Sequence, residues 1–402
     1  MSGQRAAAEP YATRFETEAT GVDGTSVWLE TSYFFPETGG QPADRGRIGD
    51  VDVVDVQFAD GELVHVLESK PPFRAGHRVL CSIDWAFRMY CMRAHTASHV
   101  LYGAARRVLE DIEYCGFEIG DETVHVDVET STAIDDDVLV ELDELVNRAV
   151  WESRPVSWET RPVAEARERE TVVFDDRIDH DAVSKGQVRL VTIGADDDNG
   201  TANGSRDPWD VAACSGTHVR NTREIGPVTI LGQSTIDNGG TRVEFAVGPG
   251  AIERRSAEKR ATLTAERTLD AEVSAIPSEL ERLAAERERN RRECVETALD
   301  TVSAIERNGA RWLVTTVEGF EPESLGDVVQ EIETDGADVL VVVGETEYTF
   351  AVVRSAGSPP ATAIVDALTT EFGGGGGGSD RFAQCGGFDA PPADVIESLR
   401  QC

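Results

Sequence analysis

The chain has 402 residues, 40% of them hydrophobic and 28% charged, enough apolar content to bury sizeable cores. At roughly 100–200 residues per domain it should divide into two to four domains. Its formal net charge is −36, with 74 Asp plus Glu against 38 Lys plus Arg, a balance that repels nucleic acid and anionic membranes at ordinary ionic strength. No apolar run approaches the roughly 18 residues of a membrane-spanning helix. The start, Met1-Ser2-Gly3-Gln4-Arg5-Ala6, lacks the apolar stretch of a secretory signal. A cytoplasmic protein with no membrane partner is expected.

The acidity is spread along the chain and coexists with ordinary apolar content, which argues against disorder. Only Lys70, Lys185 and Lys259 are lysines. Low lysine with abundant Asp and retained Arg fits a halophilic protein working in molar salt, where the screening length shrinks to about 3 Å and self-repulsion largely disappears. Negative charge then does not exclude an RNA substrate. The cysteines, at 81, 91, 115, 214, 294, 385 and 402, are scattered and odd in number. Metal or catalytic use of one or two is expected in place of a disulfide framework.

In chain order, residues 1–83 alternate apolar and polar in short runs such as Val51-Asp52-Val53-Val54-Asp55-Val56 and Leu63-Val64-His65-Val66-Leu67, the pattern of a small β-barrel or sandwich. Residues 84–250 mix helical periodicity, over 85–109 and 135–152, with strand-like runs at 188–193, 228–231 and 242–247. They form an α+β unit. Residues 195–207 are a polar loop. Over 251–308, Leu269, Val273, Ile276, Leu280 and Leu283 follow the 4-3-4-3 spacing of a coiled-coil or helical-hairpin seam. Two helices are expected to meet near Pro277, with Ser278-x-x-Glu281 as a capping box. Residues 309–402 alternate strands (338–343, 349–353) with helices (325–334, 361–370) and then reach the six-glycine run Gly373–Gly378. The expectation is an α+β multidomain chain with an α/β unit at its end.

Three segments carry chemistry. In Arg93-Ala94-His95-Thr96-Ala97-Ser98-His99 the two histidines are four apart. On a helix they share one face, which fits either a metal pair or an ordinary polar face. Cys214-Ser215-Gly216-Thr217-His218 repeats the spacing, and together the four residues suit tetrahedral zinc. Such a site is structural if closed, or catalytic if one position is open to water. A zinc protease is disfavoured because no Glu follows His95 as the base. The third segment is Phe34-Phe35-Pro36-Glu37-Thr38-Gly39-Gly40-Gln41-Pro42-Ala43-Asp44. Its paired glycines fit a close backbone approach to a ligand or a plain turn.

Gly39-Gly40-Gln41, then His95-x3-His99, then Cys214-Ser-Gly-Thr-His218-Val219, in this order, resemble the editing module of alanyl-tRNA synthetase and of the free-standing alanyl-tRNA editing hydrolases, the AlaX family. Val188–Val191 and Arg220–Gly226 also resemble that module. The glycine run with Phe382-Ala383-Gln384-Cys385-Gly386-Gly387 resembles the glycine-rich C-terminal domain of these synthetases, also found on DHH phosphoesterases. No Asp-His-His motif accompanies it; the nearest string is Asp179-His180-Asp181. The resemblance covers nearly the whole chain and points to the long AlaX subtype, without an aminoacylation domain. Ser215 departs from the family's Cys-Gly-Gly-Thr-His at a spacer and not at a ligand.

The resemblance implies four parts: a barrel (1–83), a zinc editing domain (84–250), a helical linker (251–308) and a DHHA1-like tRNA-binding and dimerisation domain (309–402). It implies zinc (Zn2+) on His95, His99, Cys214 and His218. The implied activity is deacylation of tRNA(Ala) mischarged with serine or glycine. Gln41, Gly39 and Gly40 are candidates for shaping the catalytic pocket, and Thr96, on the metal helix, is weighed between pocket and helix packing. His125 and Arg189 are candidates for the terminal ribose or phosphate, each with a structural role open. Arg254, Arg255, Arg260, Arg287, Arg289, Arg291 and Arg292 are candidates for tRNA phosphates, or for pairing with neighbouring Glu. A tRNA-binding protein with structural zinc, and editing of a threonine-system tRNA, are the alternatives.

Overall fold

The computed structural model describes residues 3–169, 172–174, 186–194, 208–237, 239–333 and 336–401. The expected loop over 195–207 and the string Asp179-His180-Asp181 lie outside them. The chain divides into two compact units, Met1–Ala261 and Thr262–Cys402. The architecture is mixed α and β throughout.

The first unit opens with a closed six-stranded barrel in the order Arg14–Asp23, Ser26–Leu29, Glu62–Leu67, Val51–Ala59, Gly46–Ile48, Arg78–Ile83. A bulge between Val53 and Asp55 resets the alternation, so that Val53 and Val56 both point inward beside Leu29, Ile48, Leu63 and Cys81. Helix α1 (Trp85–Val108) follows directly. Asp84 caps it by accepting from the Ala86 and Phe87 amides at 3.0 and 3.2 Å, and Arg106 and Arg107 face the negative end of its dipole. From Cys91 to Ala105 nearly every residue of α1 is buried. It is a central helix, and the polar side chains on it need internal partners.

Two four-stranded sheets surround α1. One runs Val228–Thr235, Thr241–Val247, Val124–Glu129, Glu113–Ile119; the other runs Val156–Pro162, Gln187–Ile193, Asp210–Ala213, Val172–Val173. Helix α2 (Asp136–Trp151) starts at an Asp135 cap and buries Leu142, Val146 and Ala149 along one stripe. The short helix α3 spans Val163–Arg167. Trp209 ties the second sheet to α1: its Nε1 donates to Val100 O at 2.9 Å, and the guanidiniums of Arg107 and Arg154 lie over its ring. That anchor holds the strand leading to Cys214 against the helix bearing His95 and His99.

Helices α4 (Pro249–Leu269) and α5 (Ile276–Asp300) confirm two helices in the charged segment but correct their junction. The break is Asp270–Ala275, and Pro277 sits in the first turn of α5, where a missing N–H costs nothing. Ser278 is no cap; its hydroxyl donates to Ala275 O within the helix at 2.9 Å. The proposed seam is not buried in the chain, as Val273, Leu280 and Leu283 are 50%, 53% and 40% exposed.

The second unit is a six-stranded sheet in the order Ile305–Arg307, Ala310–Thr316, Val339–Glu345, Thr349–Ser355, Phe382–Phe388, Gly375–Gly378. Strand Val339–Glu345 reads as an unbroken apolar run because both faces are covered. Val339, Val341 and Val343 meet helices α7 (Ala361–Phe372) and α8 (Pro392–Gln401). Leu340 and Val342 meet α6 (Pro322–Glu331) and the end of α5. The last four residues of the six-glycine run, Gly375–Gly378, are the edge strand of this sheet.

Candidate metal centre

His95 and His99 project from the buried middle of α1. Cys214 directly follows the strand Asp210–Ala213, and His218 lies in the same loop four residues on. The ligand atoms of the four residues all lie within 4.8 Å of one another. Cys214 Sγ is 3.3 Å from His95 Nε2 and 3.3 Å from His218 Nε2. Tetrahedral zinc with N and S ligands requires such edges to be about 3.5 Å, so the cluster has the size of a zinc shell.

The outer nitrogen of each imidazole is held by the protein. His95 Nδ1 faces Gln41 Oε1 at 2.9 Å, His99 Nδ1 faces Asp210 Oδ2 at 2.9 Å, and His218 Nδ1 faces Thr96 Oγ1 at 3.2 Å. Thr96 gives its own proton to Met92 O at 2.7 Å and accepts from the Val219 amide, so toward His218 it is an acceptor. Gln41 is fixed in turn: its Nε2 donates to Thr217 Oγ1 at 2.9 Å, and its Oε1 also accepts the Thr217 amide at 3.0 Å. Three acceptors on three Nδ1 atoms put the N–H outward and leave each Nε2 as a free donor to a cation, the arrangement found behind metal-binding histidines.

The charges agree. Burial pushes the Cys214 thiol up, but His95 and His218 overcome it and hold its pKa well below the ordinary thiol value; the thiolate is the metal-binding form. Burial lowers His218 well below the usual imidazole value, with Cys214 opposing. At His99 burial also disfavours charge, yet Asp210 and Cys214 outweigh it and raise the pKa to about 10. The two anions draw positive charge into the cluster.

A cavity opens beside it, walled by Thr38, Gly39, Ser98, Tyr114, Phe117 and Ser215 together with His95, His99, Asp210 and Cys214. Of the sequence-nominated pocket residues, Gly39 is in this wall. Gly40 has a φ of +82° and packs so close to the Phe117 carbonyl that a Cβ would collide with it. Its own carbonyl accepts from the Ile119 amide at 2.8 Å. Gln41 and Thr96 are fully buried behind His95 and His218, in positions that orient ligands. At Gly216 a Cβ would strike the His95 ring, while Ser215, in the neighbouring position, has room at the wall.

For Arg189 and His125 a structural role was left open beside the ribose or phosphate one. Arg189 turns its guanidinium to carbonyls of the chain. It donates to Cys214 O at 2.8 Å, Gly216 O at 3.1 Å and Ala7 O at 2.9 Å, and its burial pushes its pKa down to about 10. It clamps the metal loop. His125 sits on the strand Val124–Glu129, 3.8 Å from Glu118 and 3.9 Å from Asp127, and is not in the cavity wall. Of the candidate arginines, Arg254, Arg255 and Arg292 are engaged with Glu258, Asp143 and Glu331. Arg260, Arg287, Arg289 and Arg291 make no ion pair with a described residue.

Sequence reasoning missed Asp210, Thr217, Trp209 and the pair Arg88–Asp44. Only Asp210 carried a usable signal, an acid opening the apolar run Val211-Ala212-Ala213.

Comparison with known proteins agrees with the motifs. Residues 188–244 match the family described as the threonyl and alanyl tRNA synthetase second additional domain. The alanine–tRNA ligase of Pyrococcus abyssi is 31% identical over 97% of this chain and 42% of its own length. That of Methanopyrus kandleri is 32% identical over 93% and 41%, and that of Pyrobaculum neutrophilum 34% over 94% and 42%. The chain thus spans about two fifths of the length of the curated relatives it matches. A solved C-Ala domain from Aquifex aeolicus alanyl-tRNA synthetase matches 25% of this chain and 96% of its own at 19% identity and a TM-score of 0.22, too low to bear on the fold. By its motifs and its relatives the chain is related to alanyl-tRNA synthetase.

Proposed function

We propose that this protein is a trans-editing hydrolase. It deacylates tRNA(Ala) mischarged with serine or glycine, spares Ala-tRNA(Ala), and carries no aminoacylation activity. The observation that supports this most is the set of three imidazoles whose Nδ1 atoms are held by Gln41, Asp210 and Thr96 while their Nε2 atoms converge with the Cys214 thiolate beside an open cavity.

His95, His99, Cys214 and His218 would hold zinc, which supplies Lewis acidity to an ester carbonyl or acidifies a water. The chain's own residues do the rest. Gln41 and Thr96 keep His95 and His218 in the tautomer that leaves Nε2 unprotonated. Arg189 fixes the loop that carries Cys214 and Gly216. The Thr38–Gln41 turn, with Gly40 seated on Phe117, forms one wall of the cavity and brings Gly39 to the aminoacyl group without a side chain in the way. The strand Asp210–Ala213 forms another wall.

A separate site suits the chemistry of discrimination. A synthetic pocket for alanine cannot strongly reject an amino acid that adds a hydroxyl or loses a methyl. A second pocket with polar groups left unpaired by alanine selects in the opposite direction. In the four-part reading given above, residues 1–83 and 84–250 make the editing site, 251–308 link it, and 309–402 contribute tRNA binding and homodimerisation in a cytoplasmic, high-salt setting. Phosphate contacts would come from Arg260, Arg287, Arg289 and Arg291, which make no ion pair among the described residues, through charge-assisted hydrogen bonds.

The test is deacylation of Ser-tRNA(Ala) beside Ala-tRNA(Ala) in high-KCl buffer, with zinc-loaded protein and Cys214→Ala as control. Selective loss of serine, abolished in the control, is the expected result. Folded, zinc-containing protein that hydrolyses neither would replace the enzyme with a tRNA-binding module whose zinc is structural.

A further inference from the structure

Asp210 has a second oxygen that the metal shell does not use. The residue is 2% exposed and stands in the cavity wall. Its Oδ2 accepts from His99 Nδ1 at 2.9 Å, while its Oδ1 is buried with no hydrogen-bond partner among the described residues. Arg107, whose charge interacts with Asp210, does not supply the missing donor; it donates to the carbonyls of Gly103 and Trp209. A buried carboxylate oxygen left without a donor is costly and rare, so it calls for an explanation. Among the described residues that line the cavity, Asp210 is also the only carboxylate.

The charge count points the same way. A zinc dication with one thiolate and three neutral imidazoles carries a net charge of about +1, which repels a second cation. An aminoacyl ester brings one, its α-ammonium group, to the atom adjacent to the ester carbonyl. With Asp210 ionised the centre is neutral overall, and the unused oxygen is an acceptor for an N–H of positive charge. We propose that Asp210 is the anchor of the substrate's α-ammonium group, an assignment that rests on the editing function proposed above. It makes Asp210 bifunctional: Oδ2 orients His99, and Oδ1 recognises the charge that every aminoacyl-tRNA substrate carries at the end to be cut.

The test separates charge recognition from ligand orientation. Two hydrolysis-resistant probes are 3′-seryl-amido-adenosine and its isostere in which a hydroxyl replaces the α-ammonium. Each is titrated calorimetrically, at saturating zinc, against wild-type protein and Asp210→Asn. The asparagine keeps an oxygen for His99 and puts an uncharged NH2 donor where Oδ1 stood, removing both the charge and the acceptor. Wild type is expected to prefer the ammonium probe by about tenfold to a hundredfold, the range of a charge-assisted hydrogen bond. Asp210→Asn is expected to bind zinc and to treat the two probes alike. Equal binding of the probes by wild type, or a preference that survives in Asp210→Asn, overturns the assignment. If wild type still hydrolyses Ser-tRNA(Ala), the editing function stands without it; if it neither hydrolyses that substrate nor binds either probe, both fall together.

Discussion

Two buried polar clusters share helix α1, one at Arg88 and the other at His95, and they differ in what is left over. Arg88 is fully buried and spends its guanidinium inside the chain: Nε on Asp44 Oδ1 at 2.9 Å, Nη1 on Pro10 O at 2.7 Å, and Nη2 on Tyr33 O at 2.7 Å and on Asp44 Oδ2. Asp44 also accepts from the Phe35 amide at 2.5 Å. Nothing there faces a gap. At His95, His99 and His218 only the outer nitrogens are satisfied, and the inner ones face one another and a thiolate. Burial of polar side chains on a central helix therefore does not mark a site. Polar atoms that the chain orients and then leaves unpaired do. The segment Gln41–Asp44 serves both clusters, which is how the barrel is locked to the helix and the helix to its chemistry.

The sharpest way to break this comparison is to unbalance the closed cluster. Asp44→Ala leaves the Arg88 charge buried and unpaired, and should cost about 3–5 kcal/mol in denaturant unfolding, with much of the loss recovered in Asp44→Ala/Arg88→Met. A loss below about 1 kcal/mol would mean that the pair is solvated and the distinction drawn here is wrong. His65 is the closed counterpart of the metal-site imidazoles. It is buried in the barrel, with Nε2 at Ser32 Oγ (2.7 Å) and Nδ1 at Val27 O (3.1 Å). Burial pushes its pKa down to about 4 from an ordinary 6.5. The unfolded chain then binds a proton that the native state refuses, so its contribution is intact above pH 6.5 and is lost as the pH falls toward 4. The full difference is about 3 kcal/mol. Unfolding free energy followed over that window should show this slope, and His65→Gln should flatten it. Next in size is Gln41→Ala, which frees His95 to rotate. It should weaken zinc affinity by about 10- to 100-fold in a chelator competition while the far-UV spectrum is unchanged; unchanged affinity would leave Gln41 as a plain packing residue.

How much of this the sequence shows depends on whether the determinant is local. Helix α1, the strands that alternate around it and the His95–His99 pair follow from spacing, because a helix brings i and i+4 together wherever it lies, whereas Cys214 and His218 keep the same interval in a loop. The pairing of the two motifs needed the resemblance, and the geometry agrees with it. Asp210 is one of 74 acidic residues; its place at the head of an apolar run was a signal that it is buried, but only the fold shows that it faces His99. Pro277 misled because proline ends one helix or begins another with equal ease, and the seam residues 273, 280 and 283 misled because heptad spacing says nothing about whether a partner is present.

Gly375–Gly378 differ for a third reason, since glycine composition signals a turn, while antiparallel pairing with the next strand, Phe382–Phe388, makes these residues an edge strand. Asking what each position faces yields the smallest prediction. A Cβ on Gly376 would run into Cys385 and the Gln384 carbonyl of the neighbouring strand, whereas Gly375 and Gly377 face open space. Gly377→Ala should therefore be neutral or stabilising by about 0.4–1 kcal/mol, through the unfolded chain's lost freedom. Gly376→Ala must push the edge strand off its partner and should destabilise the second unit in thermal unfolding. Equal effects at the two positions would mean that the edge is not paired as described. A stable Gly377→Ala protein that loses tRNA affinity would show that the open face is kept bare for a ligand and not for the fold.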